Sequence, residues 1–187
     1  ADGLSPNLPG SATNHNFQVQ KFRRPEYEVK VAASNGPHFV RGFATLKATA
    51  NYYAGGALSN AETNWQVTAT PTNYTPPNRG DFIFGTWTPW WWGYNPGGQG
   101  ASQSFAGRTD AAGKHNLRID FDSVSPVRPA SVSAQATVQD VNRQAISGST
   151  SFIVHPSELY VGIRSPRTFV QKGEPILIDF GAAAGTK

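Results

Sequence analysis

Apolar and polar residues alternate in short stretches along the chain, and glycine or proline separates most stretches from the next. Successive side chains of a β-strand point to opposite faces of a sheet, so each stretch predicts a strand with one buried face. The apolar positions of these predicted strands are Phe17, Val19 and Phe22; Tyr27, Val29 and Val31; Leu46, Ala48, Ala50 and Tyr52; Trp65, Val67 and Ala69; Leu117, Ile119 and Phe121; Val132, Ala134, Ala136 and Val138; Phe152 and Val154; Leu159, Val161 and Ile163; and Ile176, Ile178 and Phe180.

Helical periodicity is weak throughout the sequence, because no segment longer than about ten residues keeps a 3.6-residue repeat. The 19 glycines and 14 prolines are turn formers, and they favour short strands between turns. The spacing therefore predicts an all-β protein built as an antiparallel β-sandwich of about seven to nine strands.

Residues 71–100 are the exception, because prolines, glycines and a dense aromatic group replace the alternation. The segment predicts a long loop or an irregular hairpin, and loops of this length are usually functional or disordered. Three interpretations stay open: a lid over one end of the sandwich, a docking surface within a larger molecule, or a platform that stacks sugars. The last would make the protein a carbohydrate-binding or adhesin-type β-sandwich. The aromatic residues concerned are Trp87, Trp90, Trp91, Trp92 and Tyr94.

Charge and composition narrow the classes of function. The net charge of +4 comes from scattered residues, and the aromatic stretch from Trp87 to Tyr94 carries no Lys or Arg. This pattern argues against a nucleic-acid partner, which needs a basic surface. The chain has no Cys, so it can form neither a disulfide nor a thiolate nucleophile. It shows neither a long apolar run nor a signal peptide, and the absence of Met predicts a segment of a longer product.

No motif for nucleophilic catalysis or zinc binding occurs in the sequence. The four histidines have no zinc-ligand spacing, and we expect them to be surface loop residues. They are His15, His38, His115 and His155.

Two weaker patterns also fail to predict a site. Gly113 and Lys114 look like the end of a phosphate loop, but Gly107 has the wrong spacing and His115 stands where Ser or Thr would bind magnesium. Asp120 and Asp122 share one side of a predicted strand, which predicts a solvated polar face. We therefore predict no catalytic residue, no cofactor and no metal.

The segment at 17–31, FQVQKFRRPEYEVKV, has a double Arg followed by Pro25. It resembles the junction between two macroglobulin domains in the bacterial branch of the α2-macroglobulin family. Further similar segments follow in the family's order: YYAGGAL at 52–58, WQV at 65–67, PP at 76–77, DF at 81–82, TDAAG at 109–113 and VQDVNRQ at 138–144. The next junction is similar to HPSELYVGI at 155–163 and FVQKGEP at 169–175.

The resemblance implies a division into three parts. Residues 1–23 are the tail of a preceding module, 24–158 a complete sandwich of macroglobulin or fibronectin-III-like type, and 159–187 the truncated start of a following domain. An unpaired strand edge at 176–180 is then expected to fray or to self-associate. Arg23, Arg24, Pro25 and Glu26 would form the domain junction, either through salt bridges or as solvated edge charges.

The implied function is structural. The family consists of broad-spectrum endopeptidase inhibitors that trap proteases after a bait segment is cut, and this region would space its neighbours and pass on their rearrangement. The implied partners are neighbouring macroglobulin domains and, through the parent's bait region, proteases. The implied location is extracytoplasmic, in the periplasm, with a parent that is lipid-anchored in some members. Without Cys, this segment cannot carry the family's thioester.

Overall fold

The computed structural model describes residues 24–85, 100–122, 127–167 and 169–185. These residues form eleven β-strands, joined by turns and loops, and no helix. The strands are β1 (Tyr27–Ala33), β2 (His38–Phe39), β3 (Phe43–Tyr52), β4 (Glu62–Pro71), β5 (Ile83–Phe84), β6 (Ala101–Arg108), β7 (Lys114–Asp120), β8 (Ala130–Gln139), β9 (Ala145–His155), β10 (Leu159–Arg164) and β11 (Asp179–Ala184). The predicted all-β class is confirmed.

Two sheets pack face to face as a sandwich. The smaller sheet has the order β1-β3-β7, and the larger has the order β2-β9-β8-β4-β6. All of their pairings are antiparallel except the two-residue β2–β9 pair, which is parallel. Together the two sheets hold eight strands, within the predicted seven to nine.

The core lies between the two sheets and is built from the predicted alternating positions. Leu46, Ala48 and Ala50 on β3 are completely buried, as are Ala134, Ala136 and Val138 on β8. Most of these side chains are small, so the facing sheets can approach closely around one large residue. That residue is Trp65 on β4, which is 1% exposed.

A third sheet, with the order β11-β10-β5, lies outside the sandwich. Its strand β5 belongs to the segment predicted as a long loop, and it pairs with β10 more than 75 positions later in the chain. The predicted strand at 176–180 is confirmed only at its end, because β11 begins at Asp179 and includes Phe180, whereas Ile176 and Ile178 precede it and are exposed. Strand β6 was missed because its polar sequence ASQSFAGR hides the alternation.

The first predicted strand, Phe17, Val19 and Phe22, lies outside the described residues. In the part of the chain that the structure describes, no helix is long and apolar enough to cross a membrane.

The sandwich depends on a close backbone approach between β1 and β9. A Cβ atom placed on Gly148 of β9 would lie 2.4 Å from the carbonyl oxygen of Val29 on β1, which is too close for any side chain. We therefore expect Gly148→Ala to lower the free energy of unfolding by about 1–3 kcal/mol in urea denaturation. The control is Gly80→Ala, where nothing lies within 4 Å of the added carbon. Equal stability of the two variants would contradict this packing.

Candidate functional site

We define the N-terminal junction of the sandwich as residues 24–27 together with 138–144, which are the end of β8 and the turn after it. Tyr27 holds this junction together. The Tyr27 ring is fully buried, and its hydroxyl lies 2.7 Å from the Val138 carbonyl oxygen and 2.5 Å from that of Gln144. Burial, with a smaller contribution from the charge of Asp140, raises the pKa of Tyr27 to about 12, so the hydroxyl keeps its proton. The start of β1 is thereby fixed to the turn between β8 and β9.

Gln144 makes the second contact of this junction. Its side-chain amide donates to the Arg24 carbonyl oxygen at 3.2 Å and accepts a hydrogen bond from the Glu26 N–H at 3.4 Å. The turn itself is set by Asp140, whose carboxylate accepts the Gln144 N–H at 2.8 Å. An amide side chain therefore holds the chain that enters the sandwich.

The residues predicted for this junction lie at its outer surface. Arg24, Pro25 and Glu26 are exposed, and within the described residues neither Arg24 nor Glu26 forms a salt bridge. Arg23 lies outside the described residues. The hydrogen bonds of this junction come instead from Gln144, for which the sequence predicts no bonding role.

The C-terminal junction connects the sandwich to the third sheet. We define it as His155, Tyr160, Tyr74 and Gly185. His155 ends β9 and is 5% exposed, and its Nδ1 lies 2.8 Å from the Tyr160 hydroxyl on β10. The Tyr74 ring packs on both, with its centroid 4.8 Å from the His155 ring and 5.2 Å from the Tyr160 ring.

Gly185 closes this cluster from the end of β11. Its N–H donates to the Glu158 carbonyl oxygen at 2.8 Å, and a Cβ atom on it would lie 2.9 Å from the Tyr160 ring and 3.2 Å from His155 Nδ1. The absence of a side chain at this position therefore lets the chain run directly over the two rings.

The prediction that the histidines are surface loop residues is wrong for those that the structure describes. His38 and His155 are both buried, because the parallel β2–β9 pair places them at the sandwich edge. His115 is half-buried on β7 and faces the core, where its Nδ1 accepts a hydrogen bond from Trp65 Nε1 at 3.0 Å. His15 lies outside the described residues. Within those residues, no group of three or more His, Asp or Glu side chains is placed to hold a metal ion.

The two weaker patterns have structural positions of their own. Gly113 lies in the turn that connects β6 of the larger sheet to β7 of the smaller sheet, with a φ of 70°, a backbone conformation that glycine adopts easily. Asp120 is exposed and pairs with Arg118 at 2.8 Å, and Asp122 is also exposed.

One face of the third sheet is covered by aromatic rings from β5 and from the residue just before it. The Phe84 ring lies against Gly162, and the Phe82 ring lies against Gly181. Arg164 fixes this side further, because its guanidinium binds Asp81 and lies 2.9 Å from the Asp179 carboxylate. The described part of the predicted loop thus supports the third sheet.

The opposite face of the third sheet, which we call the open apolar face, has no charged residue. Directly paired residues of antiparallel strands share one side, so Ile83, Ile163 and Phe180 lie in one row. Leu159 and Val161 continue this face along β10. These side chains are between 44% and 74% exposed. A groove of about 250 Å³ extends the face. Beyond the sheet it is lined by Phe169, Val170, Ile176 and Ile178, and also by Arg164, Ser165 and Arg167.

The predicted interaction loop cannot be placed on this description. Trp87, Trp90, Trp91, Trp92 and Tyr94 lie outside the described residues, so their roles as lid, docking surface or sugar platform stay predictions.

The fold is that of a macroglobulin-type β-sandwich. A solved structure of trypsin-activated α2-macroglobulin from Escherichia coli matches with a TM-score of 0.62 at 13% identity, covering 80% of this chain and 10% of that one. The chain therefore shares its fold with a segment of the bacterial α2-macroglobulins, as the sequence resemblance predicted.

Curated relatives agree in part. A Nostoc α2-macroglobulin homolog is 23% identical over 150 residues, which cover 80% of this chain and 8% of that protein. The circularly permutated Ras protein 2 of Dictyostelium discoideum is 28% identical over 179 residues, covering 89% of this chain and 4% of that protein. The chain thus spans less than a tenth of the length of each of these relatives, and no family model matches it.

The N-terminal junction gives a direct test through its hydroxyl. We expect Tyr27→Phe to lower the free energy of unfolding by about 1–2 kcal/mol, because buried carbonyl groups lose their donor. The control is Tyr53→Phe, whose residue is 66% exposed and should change stability by less than about 0.5 kcal/mol. Urea denaturation measures both, and an equally small effect of Tyr27→Phe would show that its hydroxyl does not hold the junction.

Proposed function

We propose that the chain is a non-catalytic structural module of a bacterial α2-macroglobulin-like protease trap. It spaces neighbouring modules and passes on the rearrangement that follows bait cleavage elsewhere in the parent protein. Its direct partners are neighbouring macroglobulin domains, and proteases engage the parent through the bait region. The location proposed with this role is extracytoplasmic, in the periplasm, with a lipid-anchored parent.

The open apolar face carries this proposal. Contiguous apolar surface on a folded protein marks a contact with another protein or with a membrane. Here Val161 is 67% exposed and Phe180 is 74% exposed, and both belong to a regular sheet. A regular apolar sheet face fits a second sheet packed against it, as in a sandwich.

The proposed occupant is therefore a β-sheet of the same parent protein, so that residues 159–185 contribute the first sheet of a following module. The charged residues of the third sheet support this choice, because Arg164 and Asp179 pair with each other away from the open apolar face. The two arginines that line the adjoining groove are paired with carboxylates, Arg164 with Asp179 and Arg167 with Glu174, so the surface offers little free positive charge to a nucleic acid or to an anionic surface.

The two junctions support a spacing role. Only three residues separate β9 from β10. Hydrogen bonds attach the chain to the sandwich both where it enters, through Tyr27, and where it leaves, through His155. A short, bonded connection transmits a displacement, whereas a long flexible linker absorbs it. The E. coli α2-macroglobulin that shares this fold is activated by trypsin, and we extend protease activation to the parent of this chain only as part of the proposal.

The test changes the open apolar face in the parent protein. We expect Val161→Ser to weaken docking of the following module, so the parent loses protease capture and melts at a lower temperature. In this chain alone the same change should leave urea stability unaltered within about 0.5 kcal/mol, because the side chain is already exposed. Val141→Ser, at a turn position that is 92% exposed, is the matched control.

Capture is measured as protection of a protease from a large inhibitor while it still cleaves a small substrate. A parent with Val161→Ser that captures and melts like the Val141→Ser control would remove the support for the proposed role.

A further inference from the structure

The C-terminal junction places a buried titratable group at the point where two sheets meet. His155 is the last residue of β9, and Tyr160 is the second residue of β10. Their hydrogen bond of 2.8 Å joins the sandwich to the third sheet across a three-residue turn. Tyr74, from the segment before β5, and Gly185, from the end of β11, both pack on this pair.

Protonation states at this junction follow from its surroundings. Burial, and to a smaller degree the neighbouring His38, lowers the pKa of His155 below its usual 6.5. Burial also raises the pKa of Tyr160 to about 12, so Tyr160 remains a neutral hydroxyl. A neutral His155 can accept a hydrogen bond from the Tyr160 hydroxyl at Nδ1. A protonated His155 carries a hydrogen on both ring nitrogens, so at Nδ1 it can only donate to the hydroxyl oxygen, and the cost of its buried charge remains.

Among the described residues, no opposite charge compensates a cation at this position. Burial and His38 are the influences on the His155 pKa, and both disfavour the charged form. The other titratable or charged residues on the elements packed around it are Tyr74, Tyr160, Arg41 after β2, and Glu158, whose side chain is exposed. Protonated His155 would be a buried charge among the rings of Phe39, Tyr74 and Tyr160.

We propose that the C-terminal junction is a pH-sensitive hinge, in which neutral His155 holds the third sheet on the sandwich and protonated His155 releases it. Opening exposes His155 to water and lets it take up a proton, so mild acid favours the open form. The hinge rests on contacts within this chain, so it can fail or succeed independently of the proposed role in a protease trap.

The direction of the effect follows from linkage. Since the closed form has the lower pKa, the stability that neutral His155 gives is fully present above pH 6.5 and is lost as the pH falls below it. One proton taken up on opening raises the opening equilibrium by up to about tenfold between pH 7.5 and 5.5. Above pH 7.5 the junction should stay closed.

Hydrogen exchange of the backbone amides, read by NMR and corrected for the intrinsic rate at each pH, measures this opening. We expect protection in β10 and β11 to fall by up to about tenfold from pH 7.5 to 5.5. The internal control is the core pair β4 and β8, whose protection should change much less. Unchanged protection of β10 and β11 over this range overturns the proposal.

Two variants assign the effect to its residues. His155→Phe keeps a buried ring without a titrating group, so protection of β10 and β11 should no longer depend on pH. Tyr160→Phe removes only the hydroxyl and should lower that protection already at pH 7.5, whereas Tyr53→Phe should not. A pH dependence that persists in His155→Phe overturns the proposal.

Where His155→Phe does not fold, titration of the His155 ring in the unaltered chain decides the question. A midpoint below 6.5, accompanied by opening of β10 and β11, is the expected result. A midpoint at or above 6.5 overturns the hinge, because protonation would then stabilise the closed form.

Discussion

The structure depends on one buried polar group, the indole N–H of Trp65. The ring is 1% exposed between the two sheets, so its N–H must find an acceptor inside the protein or incur a desolvation cost. His115 on the facing sheet supplies that acceptor at 3.0 Å. The bond requires an unprotonated Nδ1 on His115 and sets the distance between the sheets at the centre of the core.

The small residues of the core follow from this arrangement. Ala48 is the cross-strand partner of His115, and Ala136 is the partner of Trp65. Larger residues at these positions would compete with the indole and the imidazole for the same space. Gly107 completes the pocket, because a Cβ atom there would lie 2.1 Å from His115 Nε2. The alternation of apolar and polar residues therefore determines which side chains face the core, and the sizes of those side chains determine how closely the two sheets pack.

Local patterning explains what could be predicted from the sequence. In strands such as β8, one face is buried and the other is partly exposed, so the two-residue alternation is visible in the sequence. The pattern fails where long-range pairing decides the outcome. His155 precedes Pro156 and is predicted as a loop residue, but the parallel pairing with β2 and the rings of Tyr74 and Tyr160 bury it. Similarly, β5 has two residues in a proline-rich segment, and its strand exists because β10 lies beside it. The junction contacts of Gln144 carry no sequence pattern at all.

The two junctions differ in chemistry, and this difference has a mechanical consequence. The N-terminal junction uses an amide, a carbonyl pair and a tyrosine whose pKa is about 12, so none of these groups changes charge near neutral pH. The C-terminal junction uses a histidine whose neutral form is favoured by burial. The first connection to the sandwich is therefore constant across physiological pH, while the second has a group that solution conditions can charge. Movement of the third sheet relative to the sandwich is accordingly expected at the second connection.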